Sequence, residues 1–430
     1  MEQLPFDPAD PKAALSQLPH TAAVFALFGA ELHAEPYIGR TPNLRARLER
    51  LLQPSAKHPR RLQLAGRVRR IEWRLTGSEF ESLLLQFNLL RELYGTKCLE
   101  RMHLRMPAFI RYLGANPYPR IVVTNHPSQR EAGWAYGPFP SRMAAERYAD
   151  EALKLFLLRR CTDDLHPDPS HPGCVYSEMK MCLAPCYKGC TDERYAEEAA
   201  AVENFLATRG QSRLVTLRAE RDAASADLEF EMAAAIHAQA QRVESVRALA
   251  SELVRPLDQL RVVILQASAL PDEVAVFLFE GGRLRGPAAF STIGVRIQNE
   301  QSGSSSLFAQ PLAIEAVPEQ QEIGDQGSVS KDHSPGTPTG IRDQAPVVSR
   351  GLLEARMEDA LASLTEPHCA TSAPERQGHL ALLKRWYYRP ETKRPGEIFF
   401  PDAEGRWPIK AILRGAGRVA AKMISPTVQS

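Results

Sequence analysis

The chain has 430 residues, 24% charged and 44% hydrophobic, with 53 basic against 51 acidic residues, 33 prolines and 7 cysteines. At roughly 150 residues per domain this length makes about three folding units, and the near-zero net charge excludes a protein that is basic throughout. No apolar run reaches the roughly 18 residues of a membrane span, and the acidic, Pro-containing start MEQLPFDPADPK is the opposite of a secretory signal, so a cytoplasmic protein with reduced thiols and no membrane contact is expected.

Residues 1–15 read as a disordered tail. The apolar residues 22–28, a turn at Gly29-Ala30 and a return ending at Tyr37-Ile38-Gly39 read as two short strands. A basic helix follows with Leu44, Leu48, Leu51 and Leu52 at helical spacing, then a strand from Val68 to Leu75. Ser78 caps a helix whose apolar face holds Phe80, Leu83, Leu84, Phe87 and Leu90, which completes a small α/β unit over 16–103. Residues 104–200 form a linking and Cys-rich segment, with a strand at 120–124 and a Ser141-capped helix expected to deliver Cys161 at its end. Residues 201–255, within an Ala-, Glu- and Arg-rich stretch that begins at 192, read as consecutive helices, one of them passing through Leu214, Leu217 and Leu228. Strands return over 256–297, around a Gly281-Gly282 turn. Residues 298–350, rich in Ser, Gln, Gly and Pro, read as a disordered linker, and 351–430 as a C-terminal region with the aromatic run Trp386-Tyr387-Tyr388. The fold class is α+β.

Five of the seven cysteines fall within thirty positions: Cys161, Cys174, Cys182, Cys186 and Cys190. Cys98 and Cys369 are isolated and read as small buried hydrophobes. Four thiolates hold either zinc or a 4Fe–4S cluster. Zinc sites usually come as two CxxC knuckles, and there is none here. The uneven spacing of Cys161, Cys174, Cys182 and Cys186 suits a cubane, with Cys190 left as a fifth candidate. Plain core packing is disfavoured by the Gly, Pro, Lys and Asp around them.

From Arg40 to Arg74 the sequence carries eleven Lys or Arg and two acids, +9 in 35 residues of a chain whose overall charge is +2. A solvated helix face normally mixes both signs, so phosphate contact is the better reading, with Arg45, Arg69 and Arg70 as candidates.

Tyr37-Ile38-Gly39-Arg40, followed by Asn43-Leu44-Arg45 and Arg47, resembles the second half of the GIY-YIG nuclease signature as it stands in the UvrC family of nucleotide-excision-repair incision subunits. The Tyr136-Gly137-Pro138-Phe139 loop, the segment with Cys182 and Cys186, and the stretch from Asp227 through Phe230 to Ala234 are similar to that family in the same order, over about residues 15–295. The resemblance implies that Tyr37 helps deprotonate a water, that Arg47 binds the scissile phosphate, that Arg40 assists in place of a lysine, and that Asn88 lies with the DNA contacts. It also implies a 4Fe–4S cluster on the four cysteines, a Mg²⁺ or Mn²⁺ ion in the nuclease, damaged duplex DNA as substrate, and a UvrB-like partner docking on a UVR hairpin through Leu228, Phe230 and Glu231.

The departures bear on activity. The first motif reads Ala23-Val24-Phe25, so the hydroxyl of its usual tyrosine is missing, and the family's metal-holding glutamate is Gln86. An amide oxygen lacks the charge that makes such a site bind a divalent cation. Glu81 lies about 140° around the helix from Gln86, and Glu79 about 10 Å back on a similar face. The family's second nuclease and terminal DNA-binding pair would follow near residue 292, where this sequence has polar linker and a short basic end, so dual incision by this chain alone is not expected. Three readings stand: an incision enzyme using Tyr37 and Arg47; an adaptor that binds DNA and UvrB but cuts nothing; and, more weakly, an unrelated iron–sulfur DNA-binding regulator.

Overall fold

In a computed structural model, residues 1–31, 34–52, 64–127, 134–293, 296–298, 313–315, 350–365 and 371–424 are described. The first unit holds β1 (Glu2–Pro5), α1 (Pro11–Ser16), β2 (Ala23–Gly29), β3 (Tyr37–Thr41), α2 (Leu44–Leu52), β4 (Val68–Leu75) and α3 (Glu79–Tyr94). Its antiparallel sheet runs β1-β4-β2-β3. Phe25, Gly39 and Trp73 stand opposite one another across three strands, and Leu27, Tyr37 and Ile71 form the next row. Opposed residues share a face, and this face packs on α1 and α2 through Leu15, Leu44, Leu48 and Leu52.

Residues 1–15, expected to be a disordered tail, are ordered. β1 pairs with β4 from Glu2 to Pro5, Asp10 and Pro11 start α1, and Phe6 and Leu15 are buried. Two such side chains, each stabilising by about 1.5–3 kcal/mol when buried, offset the entropy of ordering a short segment that its acidic, Pro-containing composition hides.

A short α4 (Cys98–Arg101) leads to the second sheet, β6-β5-β7-β8, built from β5 (Ala108–Tyr112), β6 (Ile121–Thr124), β7 (Ala135–Phe139) and β8 (Arg255–Pro256). Helix α5 (Arg142–Leu153) opens at Ser141, whose hydroxyl accepts from the Ala144 N–H. It ends eight residues before Cys161, so that cysteine sits on an irregular segment and not at the helix end. The one-turn α6 (Val175–Glu178) precedes three long helices, α7 (Asp192–Ala207), α8 (Gln211–Ala226) and α9 (Phe230–Ala248). The last two pair as the expected hairpin, but Leu228 lies outside both. It occupies the left-handed turn at φ 59°, and Glu229 N–H caps the end of α8 at the Ala224 carbonyl.

The third sheet has the order β11-β10-β9-β14, from β9 (Val262–Ala267), β10 (Glu273–Glu280), β11 (Arg283–Ser291) and β14 (Glu397–Phe399). The 256–297 and 351–430 regions, separate in the sequence reading, therefore share one sheet: β14 pairs antiparallel with β9. Period-two alternation explains the continuous apolar strands. Val263, Leu265, Val274, Val276 and Leu278 face α10 (Arg350–Leu364) and α12 (Ile409–Ile424). Val262, Ile264, Ala275, Phe277 and Phe279 face α3 and α11 (Ala373–Tyr387). Buried on both faces, the strands need no polar side. A small pair joins β12 (Arg296–Gln298), at the end of the expected strand region, to β13 (Ala313–Glu315), inside the expected linker; residues 299–312 and 316–349 lie outside the described residues, as does Cys369.

Helix α3 is the joint between the first and third units. Gly378 lets α11 cross it, because a Cβ there would enter the Phe87 ring, and Gly77 lets its entry turn touch the backbone after β9. Trp386 donates to the Pro395 carbonyl and Tyr388 to the Pro138 carbonyl, so the aromatic run fastens α11 to both neighbouring units.

Candidate nucleic-acid cleft and cysteine centre

Asn43 caps α2, its side chain accepting from the Ala46 N–H at 3.0 Å, which fixes the turn between β3 and the helix carrying Arg47. Ser78 caps α3 by accepting from the Glu81 N–H at 3.1 Å, while the Glu81 carboxylate reaches back to the Gly77 N–H at 2.8 Å. These two caps set the walls of a cleft of about 660 Å³, lined by Phe25, Tyr37, Gly39, Arg40, Thr41, Arg47, Ser78, Glu79, Ser82 and Gln86. Tyr37, Arg40, Arg47, Phe25 and Gln86 are thus brought together. Glu79, Ser82 and Gln86 are three and four residues apart, one stripe of α3.

Phe25 is fully buried, with its ring over Gly39 at 2.6 Å from where a Cβ would sit, and tilted against Tyr37 at 6.1 Å between centroids. Only glycine admits that crossing. Arg47 makes no ion pair among the described residues, so its guanidinium is open to an incoming anion. Glu81 is buried and engaged in its cap; burial pushes its carboxyl above the usual carboxylate range.

Sequence reasoning missed how Glu79 is held. Its carboxylate meets Arg40 at 3.3 Å, Arg389 at 2.9 Å and Arg385 at 3.9 Å, the last two coming from the end of α11 and just beyond it. The Arg389 hydrogen bond, with the charges of Arg389, Arg40 and Arg385, holds it below the usual carboxylate range against the opposing effect of burial. No local signal in the sequence connects residue 79 to residues some three hundred positions away.

Four sequence-expected DNA contacts lie elsewhere. Arg45 is paired with Glu49 at 3.2 Å. Arg69 donates to the Gly66 and Val68 carbonyls, and Arg70 pairs with Glu72 and stacks over Phe28. Asn88 is the one set farthest from the cleft face of α3. Two residues past Gln86, it lies about 200° around α3, and it lines a different hollow beside Arg91, Arg285 and His379. Lys57, Arg60 and Arg61 fall outside the described residues.

Cys161, Cys174, and the pair Cys182 and Cys186 lie on three short segments. Leu183 N–H donates to the Leu157 carbonyl and Asp168 N–H to the Cys186 carbonyl, tying those segments together. Arg159, buried, donates to the Tyr118 carbonyl and reaches the Cys161 sulfur at 3.5 Å. The Ala184 N–H points at the Cys182 sulfur at 3.4 Å. Burial, then the neighbouring cysteine sulfurs, pushes the Cys182 and Cys186 thiols up, whereas the Ser177 backbone N–H holds Cys174 down. The charged neighbours of Cys190 are Asp192 and Arg194, not the other cysteines. All five thiols are unpaired. Among the described residues no three His, Cys, Asp or Glu converge closely enough to hold a metal ion.

At the hairpin tip Leu228, Phe230 and Met232 are 71%, 65% and 53% exposed, and Glu231 is exposed beside them. No helix among the described residues is long and apolar enough to cross a membrane.

A β-strand pair carrying Tyr37 and Arg40, a following helix carrying Arg47, and the stripe of α3 opposite them define a GIY-YIG-type domain, joined here to a cysteine-bearing segment and a helical hairpin. Residues 26–95 match the family described as UvrC-like GIY-YIG domain, and residues 108–205 match UvrC/Cho excinuclease, middle domain. UvrABC system protein C of Alcanivorax borkumensis is 31% identical over 239 residues, 55% of this chain and 39% of that protein. The same-named proteins of Aliivibrio salmonicida (28% over 306 residues, 70% and 49%) and Ruminiclostridium cellulolyticum (27% over 330 residues, 74% and 52%) match over longer stretches. The chain is UvrC-like, and it spans about half or less of the length of these relatives. No solved structure matches it.

Proposed function

We propose that this chain is a cytoplasmic UvrC-like subunit of nucleotide excision repair that holds damaged duplex DNA in the cleft around Tyr37, Arg40 and Arg47, docks a UvrB-like partner on its hairpin, and makes no metal-dependent cut at that cleft. One observation carries this reading. Of the three α3 residues that face the cleft, Ser82 and Gln86 carry no charge and Glu79 is held by three arginines. The residues present do not fit a Mg²⁺ or Mn²⁺ ion, since a hard dication needs anionic oxygen that is not already neutralised. Cationic groups without a metal still bind phosphate, so DNA contact survives where hydrolysis does not.

Incision remains the second reading, supported by the juxtaposed Tyr37 and Arg47, the groups that would activate water and stabilise charge on the phosphorus. A nicking assay on damaged duplex with Mg²⁺ or Mn²⁺, with and without a UvrB-like partner, separates the two. We expect no cleavage by wild type or by Arg47→Ala, and metal-dependent nicking by Gln86→Glu if decay is confined to that position. Wild-type nicking that vanishes in Arg47→Ala would sink the adaptor reading.

The four thiols suit a 4Fe–4S cluster in donor type, and the N–H aimed at the Cys182 sulfur is the kind of contact that stabilises thiolate. Cys161, Cys174, Cys182 and Cys186 would hold it, and it would supply a covalent tie between segments that carry little core of their own. Cys190 is left out.

A further inference from the structure

The arginines that meet Glu79 belong to different units: Arg40 to β3, Arg385 and Arg389 to the α11 end that the third sheet positions. We propose that Arg385 and Arg389 form a second phosphate subsite beside the Arg40–Arg47 cleft, with Glu79 acting as an internal anion that a DNA phosphodiester displaces. The inference rests on the chain binding DNA, and it adds which groups bind a neighbouring phosphate and that no divalent ion takes part.

Charge and geometry support it. Three guanidiniums, Arg40, Arg385 and Arg389, meet a single carboxylate, and Arg47 lines the same cleft. A carboxylate bridging three guanidiniums marks a point where negative charge is favoured, and a phosphodiester offers two anionic oxygens to the same fork-shaped donors. Arg385 and Glu79 keep 42% and 38% of their side-chain surface, so the pairs can open to an incoming strand. Exposed ion pairs of this kind are weak, which makes exchange of one anion for another inexpensive. Arg389, 26% exposed, is held in place by its neighbours: Tyr388 is tied to Pro138 and Ser251, and Trp386 to Pro395. The subsite is therefore mounted on a packed helix end, and its cations arrive pre-positioned.

The test is duplex DNA binding by the full chain, measured by fluorescence anisotropy in EDTA over a series of salt concentrations. Wild type is expected to bind without divalent ion. Arg385→Ala/Arg389→Ala should lower the slope of log K against log salt by about 2 and weaken binding on the order of tenfold or more. Glu79→Gln, which removes the competing anion, should tighten binding about threefold or more. Arg414→Ala, on the exposed side of α12, should change nothing beyond error, and circular dichroism checks that each variant is folded. Binding that requires Mg²⁺, a double variant with the wild-type slope, or weaker binding by Glu79→Gln would each overturn the subsite. No DNA binding by wild type under any condition would instead overturn the DNA-binding reading on which the subsite rests.

Discussion

The hairpin tip offers the most direct test of partner docking, through Phe230→Asp. Phe230 begins α9 immediately after the left-handed turn at Leu228 and is 65% exposed, so little of it supports the fold. A phenylalanine buries about 200 Å² when fully covered, which leaves about 130 Å² for a partner to cover. At about 25 cal/mol per Å² that surface contributes about 3 kcal/mol to docking, or on the order of a hundredfold in Kd. Replacing it with aspartate removes that area and adds a charge beside Glu231, which further disfavours an apolar partner face. Isothermal titration of the full chain against a UvrB-like protein is the assay. Binding should weaken by about a hundredfold or more, with a melting temperature within a degree or two of wild type. Undiminished binding refutes a docking role for the tip, and a large drop in melting temperature refutes the claim that Phe230 is peripheral to the fold.

The other predictions concern the cysteine centre and the α3–α11 joint. Protein purified without oxygen should be brown, with about four iron and four sulfide per chain; Cys182→Ser should lose both and Cys190→Ser keep them, whereas one zinc and no sulfide would refute the assignment. Gly378→Ala forces a methyl into the Phe87 ring and should lower unfolding free energy by about 1–3 kcal/mol in urea; an unchanged midpoint would mean that α11 does not cross α3 there. His379 is buried, accepts from the Leu284 N–H, and has its pKa pushed down to about 3 by burial and by Arg91, Arg283 and Arg285. Its unfolded form binds the proton first, so its contribution is fully present above pH 6.5 and is lost as pH falls toward 3. Stability should therefore drop by up to about 1.4 kcal/mol per pH unit below 6.5, and His379→Gln should flatten that dependence; an equal slope in the variant would refute the buried neutral histidine.

Local elements were legible because their causes are local. Ser78 and Ser141 as caps, the apolar spacing of α3, and the Gly281-Gly282 turn all appear at the expected places. Motif adjacency does not put Asn88 in the cleft with Gln86, since residues two apart on a helix share a sequence stretch but not a face. The order of residues 1–15 was hidden because β1 is an edge strand whose partner lies some seventy positions away. The division of residues 256–430 into separate regions failed for a similar reason: β14 is a three-residue strand with no pattern of its own, placed by its pairing with β9. Nothing near Glu79 in the sequence announces Arg385 and Arg389, and only the packing of α11 on α3 brings them there.

On the proposed reading, the stripes of α3 also explain how the cleft keeps its shape with no free carboxylate facing it. Phe80, Leu83, Leu84, Phe87 and Leu90 face the sheet and α11, and any change among them opens a cavity or a clash in the core that joins two units. Glu79, Ser82 and Gln86 face the cleft, and Gln86 keeps the length and rotamer preferences of the glutamate it stands in for. An amide in place of a carboxylate on that stripe changes the charge of the cleft and leaves the opposite stripe untouched. On that reading, chemistry at the cleft and folding are carried by different faces of one helix. A single substitution on the cleft face would then turn a cleft that cuts DNA into one that grips it, provided the arginines opposite, on β3, α2 and the end of α11, stay where the two sheets hold them.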